Sequence, residues 1–417
     1  MAFPHRPRGD ESEEDLNLNE ITKQFIRENL NADVPTLALK KAPVGTDFSL
    51  ALRQIEARQL LRKKVPSWSA NEELLFPRHL SIEQCSSEAS AKYKASLLQG
   101  RSFADLTGGL GIDTYFIAQH FQQSDYIERQ TELCDLAQHN FSVLNAKIRI
   151  WNETAEDFLN HCESKDWIYI DPARRDEHGR KTVSIADCTP NVSELQDLLL
   201  QKAEHVMVKL SPMLDISKAL MELHHVKAVH VVAVANECKE LDFILERDYQ
   251  GSVVFTCLNL LTNQPELHFS QEEERDCSVQ IAENISKYLY EPNPALMKAG
   301  CFKLLTKRFG VYKLHKNSNL YTSEHLISNF PGRVFEVEDW SPYNKKLKQT
   351  MLSDVKQASI AVRNFPLSVA ELRKALKIVE GDVVFLFATT LRGEKKVVIR
   401  TKKAASDETA SFKDLNN

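Results

Sequence analysis

The chain contains no uninterrupted run of about 18 apolar residues, the length that a membrane-spanning helix requires. No charged and then apolar leader precedes the first predicted helix either. These two absences predict a cytoplasmic protein with no membrane span. The 417 residues exceed what one hydrophobic core organises, and ordinary domain sizes predict about two to four units.

Cysteine never occurs in the paired spacing that binds metals. The sequence has no C-x-x-C pair and no His-rich partner segment. The cysteines are therefore predicted to be reduced thiols in the core, and neither disulfides nor a metal site is expected. The eight positions are Cys85, Cys134, Cys162, Cys188, Cys238, Cys257, Cys277 and Cys301.

The net charge of −5 conceals an uneven distribution along the chain. Residues 291–417 contain 22 Lys and Arg against 13 Asp and Glu, a formal charge of +9, whereas the preceding residues carry −14. Such an asymmetry favours one module that meets polyanions such as nucleic acids. The alternative is that these basic side chains only solvate exposed faces.

Three domains are predicted from the order of patterns. Residues 1–84 form an α-helical N-terminal domain, of which residues 1–15 are polar and acidic and are expected to be disordered. Residues 85–268 alternate strands with helices, which predicts a parallel sheet. Residues 269–417 form a small, basic α+β region.

The central sheet is predicted to have seven strands, near residues 102–106, 125–128, 147–151, 167–171, 205–210, 229–235 and 252–258. In the C-terminal region, strands are predicted at 334–337, 358–364, 383–389 and 396–401, with helices at 345–355 and 368–378. Ser368 and Glu371 form a capping box that predicts the start of the last helix.

The segment 103–113, Phe-Ala-Asp-Leu-Thr-Gly-Gly-Leu-Gly-Ile-Asp, ends an apolar strand in a glycine turn and opens a helix. Gly108, Gly109 and Gly111 fall within four positions, and glycine lets a backbone adopt positive φ and approach a ligand closely. The helix that follows would point free N–H groups at that ligand, and Asp113 suits its first turn. A turn that binds no ligand is the structural alternative.

Two acidic residues indicate which ligand the turn would bind. Glu128 ends the second strand about 20 residues beyond the glycines, the separation of an acid that binds ribose hydroxyls. The dehydrogenase pattern G-x-G-x-x-G is incomplete because Thr114 replaces its third glycine. Asp105, in the strand before the turn, would repel a pyrophosphate and attract an amino group, such as that of S-adenosylmethionine.

A second motif follows the fourth predicted strand. The strand ends in Asp171 and Pro172, followed by Ala, Arg174 and Arg175. Strand ends of this kind face the ligand crevice in open α/β sheets. The arginines predict bidentate phosphate binding or, alternatively, a solvated loop paired with the two acids that follow.

These motifs resemble those of class I S-adenosylmethionine-dependent methyltransferases, in which the glycine turn is the first motif and Asp-Pro-Ala-Arg the fourth. The stretch 364–372, Asn-Phe-Pro-Leu-Ser-x-x-Glu-Leu, is typical of bacterial members with a C-terminal THUMP-like region. The resemblance implies an α/β fold with a Rossmann-like seven-stranded methyltransferase sheet, an α-helical N-terminal domain and a small α+β C-terminal domain.

The resemblance also implies that S-adenosylmethionine is the cofactor, and that the residues at matching positions of this chain bind it. Residues 152–157 match the segment that binds adenine in the family. They depart from the pattern of many relatives, because Thr154 stands where those have an aspartate. Adenine is therefore expected to be bound by backbone groups or by Glu156. The implied cofactor-binding residues are Asp105, Thr107, Gly108, Gly109, Gly111, Asp113, Glu128, Thr154, Ala155 and Asp171.

Asp171 and Pro172 are the predicted catalytic residues, with Arg174 and Arg175 as substrate-binding residues. The carboxylate would accept a hydrogen bond from an exocyclic amine, as in Asp-Pro-Pro-Tyr enzymes that methylate base nitrogens, although the final aromatic residue is missing here. RNA 5-methyluridine enzymes share Asp-Pro-Ala-Arg but attack with a cysteine after the fifth strand. Residues 208–212 read Val-Lys-Leu-Ser-Pro, so covalent C5 chemistry is not expected.

The leading hypothesis is a cytoplasmic methyltransferase of RNA, either tRNA or rRNA, that presents its substrate on the basic C-terminal region. One alternative is a methyltransferase of a small molecule or protein, with that region as a lid or dimer interface. Another is a binding module that retains cofactor affinity without turnover. The sequence leaves the oligomeric state open.

Overall fold

A computed structural model describes residues 18–77, 79–174 and 184–404 of the chain. The expected disorder of residues 1–15 lies outside these residues. Within the described residues, none of the helices combines the length and the apolar character needed to cross a membrane. None of the eight cysteines, all of which lie in the described residues, is joined in a disulfide. Five are buried as predicted, whereas Cys85, Cys238 and Cys277 are only partly buried, so the prediction of core thiols is wrong for these three.

The first of two compact units, Met1–Ile168, begins with helices. Helix boundaries follow local signals: the Asp47 carboxylate accepts from the Leu50 N–H at 3.0 Å and caps the longest helix, which ends at Lys64, two residues before Pro66. The helices are α1 (Glu20–Asn29), α2 (Val34–Ala38), α3 (Phe48–Lys64), α4 (Pro66–Ser69), α5 (His79–Gln84) and α6 (Glu88–Leu97).

A buried arginine organises the chain between these helices. Arg58 of α3 is 4% exposed, and its guanidinium donates to four backbone carbonyls at 2.8–3.0 Å, those of Ser69, Asn71, Glu72 and Leu74. It also lies over the Phe76 ring, 5.1 Å from the ring centroid. A single side chain thus provides hydrogen-bond donors for carbonyls at the end of α4 and in the loop that follows it.

The rest of the first unit alternates strands and helices as predicted. Strands β1, β2 and β3 pair in parallel, and the strand order in this unit is β4-β1-β2-β3. The elements are β1 (Gly100–Asp105), α7 (Ile112–Ala118), β2 (Phe121–Ile127), α8 (Thr131–Val143), β3 (Ile148–Trp151), α9 (Ala155–His161) and β4 (Lys165–Ile170).

The second unit, Tyr169–Asn417, continues the alternation. Its strand order is β7-β9-β8-β10-β11. The elements are β5 (Ala173–Arg174) and β6 (Cys188–Thr189), which pair with each other, then α10 (Val192–Lys202), β7 (Ala203–Leu210), α11 (Ile216–Glu222), β8 (Val226–Val234), β9 (Glu237–Glu246), β10 (Val254–Leu260), β11 (Leu267–Ser270) and α12 (Gln271–Asp276).

The central sheet has nine strands. All seven predicted strands are present, and β9 and β11 are added. Strand β9 runs antiparallel between β7 and β8, after a tight turn in which Ala235 and Asn236 have φ of 49° and 68°. Its sequence is Glu-Cys-Lys-Glu-Leu-Asp-Phe-Ile-Leu-Glu. The longest alternation of polar and apolar residues covers only 240–243, and the polar residues there, Glu240 and Asp242, are buried.

The C-terminal part of the second unit has its own seven-stranded sheet, in the order β13-β14-β12-β15-β18-β17-β16. The sheet curls, since Ser318 of β14 and Thr389 of β17 share a hydrogen bond of 2.8 Å between hydroxyls. Its elements are β12 (Tyr288–Pro292), α13 (Pro294–Ala299), α14 (Leu304–Phe309), β13 (Tyr312–His315), β14 (Ser318–Ser323), β15 (Gly332–Pro342), α15 (Leu347–Thr350), β16 (Ser359–Arg363), α16 (Val369–Leu376), β17 (Phe385–Leu391) and β18 (Lys395–Lys403).

The predicted C-terminal elements are confirmed with one correction. The Ser368–Glu371 capping box opens α16, and Phe385 and Phe387 are packed core residues. The helix predicted at 345–355 is wrong in length, because α15 stops at Thr350. Arg400 donates to the Met351 carbonyl at 3.3 Å and to Asp354 at 2.8 Å, and these contacts tie down the segment that would have continued the helix.

Candidate functional site

The glycine turn between β1 and α7 adopts the backbone that its residues allow. Gly109 and Gly111 have φ of 53° and 82°, in the left-handed region that favours glycine. The Gly111 N–H donates to the Gly108 carbonyl at 2.8 Å, and Gly111 is the N-cap of α7. The turn is therefore tight and leads directly into the helix.

Gly108 is required for a packing reason. A Cβ built there would lie 2.1 Å from the Tyr126 ring, far inside van der Waals contact. The Tyr126 hydroxyl donates to the Gly109 carbonyl at 2.6 Å, and burial raises the pKa of this fully buried tyrosine well above its usual value. The glycine turn therefore packs directly against Tyr126 of β2, a contact that the strand pattern alone did not indicate.

Asp105 lies at the end of β1 with 1% exposure. Its carboxylate accepts from the Thr107 N–H at 2.9 Å and from the Thr114 hydroxyl at 2.5 Å. Thr114, which replaces the third glycine of the dehydrogenase pattern, thus holds the acid that distinguishes this turn from a pyrophosphate site.

Glu128, one residue beyond β2, directs its carboxylate at the turn. One oxygen accepts from the Gly109 N–H at 3.1 Å and the other from the Gln130 N–H at 2.8 Å. Asn152 donates to the Glu128 carbonyl at 3.0 Å and fixes its backbone. Since a carboxylate oxygen has two lone pairs, each oxygen retains acceptor capacity for a ligand hydroxyl.

The predicted adenine segment lies at the start of α9. The Thr154 hydroxyl caps the helix by accepting from the Asp157 N–H at 3.1 Å, and it donates to the Asp157 carboxylate at 2.8 Å. Ala155 is buried behind it. The threonine that departs from the family pattern therefore has a local structural role.

Asp113 points to the N-terminal helices. Its carboxylate accepts from the Ser86 hydroxyl at 2.6 Å and lies 3.2 Å from the ammonium of Lys94, which is fully buried in α6. Lys94 also donates to the Ser86 hydroxyl at 3.1 Å. Ser86 and Lys94 were not predicted as site residues, because only the tertiary structure brings α6 beside the turn's helix.

The second motif lies in the second unit. Asp171 forms a short hydrogen-bonded ion pair with Lys209 at the end of β7, and Pro172 beside it is buried. Arg174 lies in β5, whereas Arg175 lies outside the described residues. Lys209 was not predicted as a site residue, and the structure gives it a direct contact with the predicted catalytic carboxylate.

Lys209 begins a row of polar residues that crosses the sheet. In register on neighbouring strands lie Lys209 opposite Asp242, Asp242 opposite His230, His230 opposite Thr256, and Thr256 opposite His268. Asp242 is fully buried, and burial lowers the pKa of His230 to about 4, which leaves this histidine neutral at pH 7. The row places the buried acid Asp242 opposite the lysine that pairs with the partly exposed Asp171.

The basic residues of the C-terminal region are not uniformly exposed. Lys313 is 4% exposed and donates to the Lys316 carbonyl at 2.8 Å, and burial lowers its pKa. Arg308 pairs with Glu273 at 3.0 Å. Part of the positive charge counted in the sequence is therefore used in internal contacts. Among the described residues, no group of three or more His, Cys, Asp or Glu is arranged to bind a metal ion.

A glycine turn on a buried tyrosine, acids at the ends of adjacent parallel strands and an antiparallel strand inserted next to β7 together define a class I methyltransferase fold. Two family models match the C-terminal part of the chain. A model described as a ferredoxin-like domain matches residues 288–331, and one described as THUMP domain-like matches residues 332–403. A search of the curated proteins finds no match.

Among solved structures, the chain is similar to a "putative methyltransferase" from Porphyromonas gingivalis W83, with 36% identity and a TM-score of 0.82 over 92% of this chain and 98% of that one. The chain belongs to this family, the class I S-adenosylmethionine-dependent methyltransferases with a C-terminal THUMP-like domain. The predicted fold class, family and enzyme class are confirmed.

Two more distant structures were also found. An rRNA methylase from Streptococcus thermophilus is 16% identical, with a TM-score of 0.29 over 39% of this chain and 95% of that one. TrmK from M. capricolum, in complex with S-adenosylhomocysteine, is 10% identical, with a TM-score of 0.31 over 38% of this chain and 68% of that one.

Proposed function

We propose that this methyltransferase acts on RNA, tRNA or rRNA, in the cytoplasm, and transfers a methyl group from S-adenosylmethionine directly to a base nitrogen. One observation carries the choice of RNA: residues 332–403 match a THUMP-like domain, a type of domain associated with RNA binding. The excess of Lys and Arg in this part of the chain supports the same choice, since phosphate contacts dominate affinity for nucleic acids.

The residues of the glycine turn suit the cofactor chemically. Glu128 has acceptor capacity for ribose hydroxyls, and Asp105 supplies a buried negative charge for the amino group of the methionine part. The backbone N–H groups of Thr107, Gly108, Gly109 and Gly111 already donate within the protein, so these residues would line the cofactor by close approach of the backbone, and Thr154 and Ala155 would contact adenine. Asp113 is proposed to contribute by holding the start of α7 through Ser86 and Lys94.

When bound, the cofactor supplies a methyl carbon that its sulfonium makes electrophilic. The protein must chiefly align the acceptor, so proximity and electrostatics dominate catalysis. Asp171 accepts a hydrogen bond from the N–H of the amine and thereby orients the nitrogen lone pair. Lys209 holds the Asp171 carboxylate by their ion pair, and Pro172 restricts the backbone beside it.

Arg174 and Arg175 are proposed to bind a phosphate next to the target nucleotide. Guanidinium groups bind phosphate oxygens in pairs of parallel hydrogen bonds, which also fixes the orientation of the substrate. The predicted result of removing either arginine is a higher KM for RNA with little change in cofactor affinity.

The test is transfer of a radiolabelled methyl group from S-adenosylmethionine to total RNA from cells that lack this gene, with protein and small-metabolite fractions in parallel. Asp171→Ala should abolish labelling of RNA. Glu246→Ala is the matched control, because Glu246 is also a partly buried acid paired with a lysine, Lys227, at 2.6 Å. It ends β9 opposite His205, four positions along β7 from the Lys209 that pairs with Asp171.

Label that enters only the protein or metabolite fraction would refute RNA as the substrate. It would support the second hypothesis, a methyltransferase of a small molecule or protein. Cofactor binding without label in any fraction would support a binding module. RNA labelling that persists in Asp171→Ala would remove the catalytic role from this carboxylate.

A further inference from the structure

One buried glutamate in the C-terminal sheet holds two arginines that remain partly exposed. The Glu291 side chain is 6% exposed, whereas those of Arg333 and Arg363 are 42% and 39% exposed. Arg333 donates from Nε at 2.9 Å and from Nη2 to one carboxylate oxygen, and Arg363 donates from Nη2 at 2.6 Å to the other. The Glu291 carboxylate is therefore buried, whereas the side chains of both arginines are partly exposed to solvent.

The three residues come from separate strands and from both matched segments. Glu291 of β12 lies directly opposite Arg333 of β15, whereas Arg363 ends β16, which follows three strands further along the order of the sheet. Glu291 belongs to the ferredoxin-like segment and both arginines to the THUMP-like segment. The curl of the sheet brings the ends of these strands together.

Charge distinguishes this cluster from an ordinary structural ion pair. Two guanidinium groups share one carboxylate, so the cluster carries a formal charge of +1. Arg400 in the same sheet shows the opposite arrangement, since it alone pairs with both Glu338 and Asp354 and its side chain is 22% exposed. An anion is attracted to the first cluster and repelled by the excess acid of the second.

Donor groups remain available on both arginines. Within the described residues, Arg333 Nη1 makes no hydrogen bond to the protein, and the same is true of Arg363 Nε. Arg363 Nη1 donates to the neighbouring Val362 carbonyl at 2.9 Å. Guanidinium forks suit ligands with several acceptor oxygens on one centre, and phosphate is the common biological example.

The backbone beside Arg363 is held in place. Asn364 has φ of 52°, its side-chain amide donates to His315 Nδ1 at 3.0 Å, and its carbonyl accepts from the Thr390 hydroxyl at 2.5 Å. The Arg333 guanidinium lies 5.5 Å from the centroid of the Phe335 ring. Both side chains therefore lose little conformational freedom when a ligand binds.

We infer that Arg333 and Arg363, positioned by Glu291, together bind a backbone phosphate of the RNA substrate. This site rests on the proposed function, since it names where the C-terminal region contacts the same RNA. It also gives a role to the Asn-Phe-Pro-Leu-Ser segment, whose asparagine fixes the end of β16.

The test measures binding of fluorescently labelled, unfractionated tRNA to the full chain over a range of salt concentrations. The variants are Arg333→Met and Arg363→Met, with Arg400→Met as the matched control. Because both arginines bind the same phosphate, the slope of log affinity against log salt should become shallower by about one in the combined variant and by no more than about one in each single variant, with a similar loss for every RNA tested. Arg400→Met should keep the wild-type slope.

Removing both arginines would leave Glu291 buried without a partner, so the combined variant also carries Glu291→Gln. Thermal unfolding of each variant verifies that the sheet is intact. Equal salt slopes for the wild type and the two arginine variants would refute the proposed phosphate site, but not the proposed RNA methyltransferase function. An equal change in Arg400→Met would also refute the phosphate site, because general charge would then explain the effect. Absence of salt-dependent tRNA binding by the wild type, together with no labelling of RNA, would overturn the proposed function itself.

Discussion

Replacing Glu128 with glutamine removes one negative charge from the proposed cofactor site and keeps the size of the side chain. In the structure this carboxylate accepts from two backbone N–H groups and retains lone pairs for a ribose. A hydrogen bond to a charged group contributes about 1.5–3 kcal/mol, so Glu128→Gln should weaken cofactor binding roughly 10-fold to 150-fold.

The substitution has a structural cost that must be separated from the loss of affinity. An amide has one acceptor oxygen, so either the Gly109 or the Gln130 N–H loses its partner in the variant. Asp125→Asn is a suitable control, because Asp125 is a fully buried acid three residues earlier on β2 that pairs with Arg149 and Lys165, both at 2.8 Å. The control should lower the melting temperature and leave cofactor affinity nearly unchanged.

The assay is calorimetric titration with S-adenosylhomocysteine, which binds without turnover, alongside thermal unfolding without ligand. The reasoning predicts a weaker Kd for Glu128→Gln with a small change in melting temperature. A Kd equal to that of the wild type in a folded Glu128→Gln protein would refute Glu128 as the ribose acid. Equal losses of affinity in both variants would mean that general destabilisation is the cause.

Three further outcomes follow from the structure. Gly108→Ala should weaken cofactor binding in calorimetry and destabilise the fold by about 1–3 kcal/mol, since the added methyl overlaps the Tyr126 ring; wild-type behaviour would contradict the packing. Lys209→Met should lower kcat about 10-fold or more in the methyl-transfer assay without changing cofactor Kd, since Asp171 loses its ion pair with this lysine, and an unchanged kcat would limit Lys209 to a structural role. Arg58→Met should lower unfolding stability in denaturant by about 3 kcal/mol or more, because four carbonyls lose their donor, and a smaller loss would mean that water replaces it.

Much of the glycine turn could be predicted because its requirements are local. Positive φ at Gly109 and Gly111 depends on the residue itself, and the strand, turn and helix around them are adjacent in the chain. The capping box at Ser368 was predictable for the same reason, since its two hydrogen bonds join residues three positions apart. Periodicity also located all seven predicted strands of the central sheet.

Partners far apart in the chain could not be predicted. Lys209 lies 38 positions from Asp171, and Arg363 lies 72 positions from Glu291. Strand β9 was missed because its longest alternation of polar and apolar residues covers only 240–243, and only the strands on both sides of it explain why its acids are buried. The sequence by itself determined the fold class, the family and the glycine turn, because these depend on short-range patterns. Only the tertiary structure decided which charges meet, because pairing across strands depends on register and on the curl of the sheet.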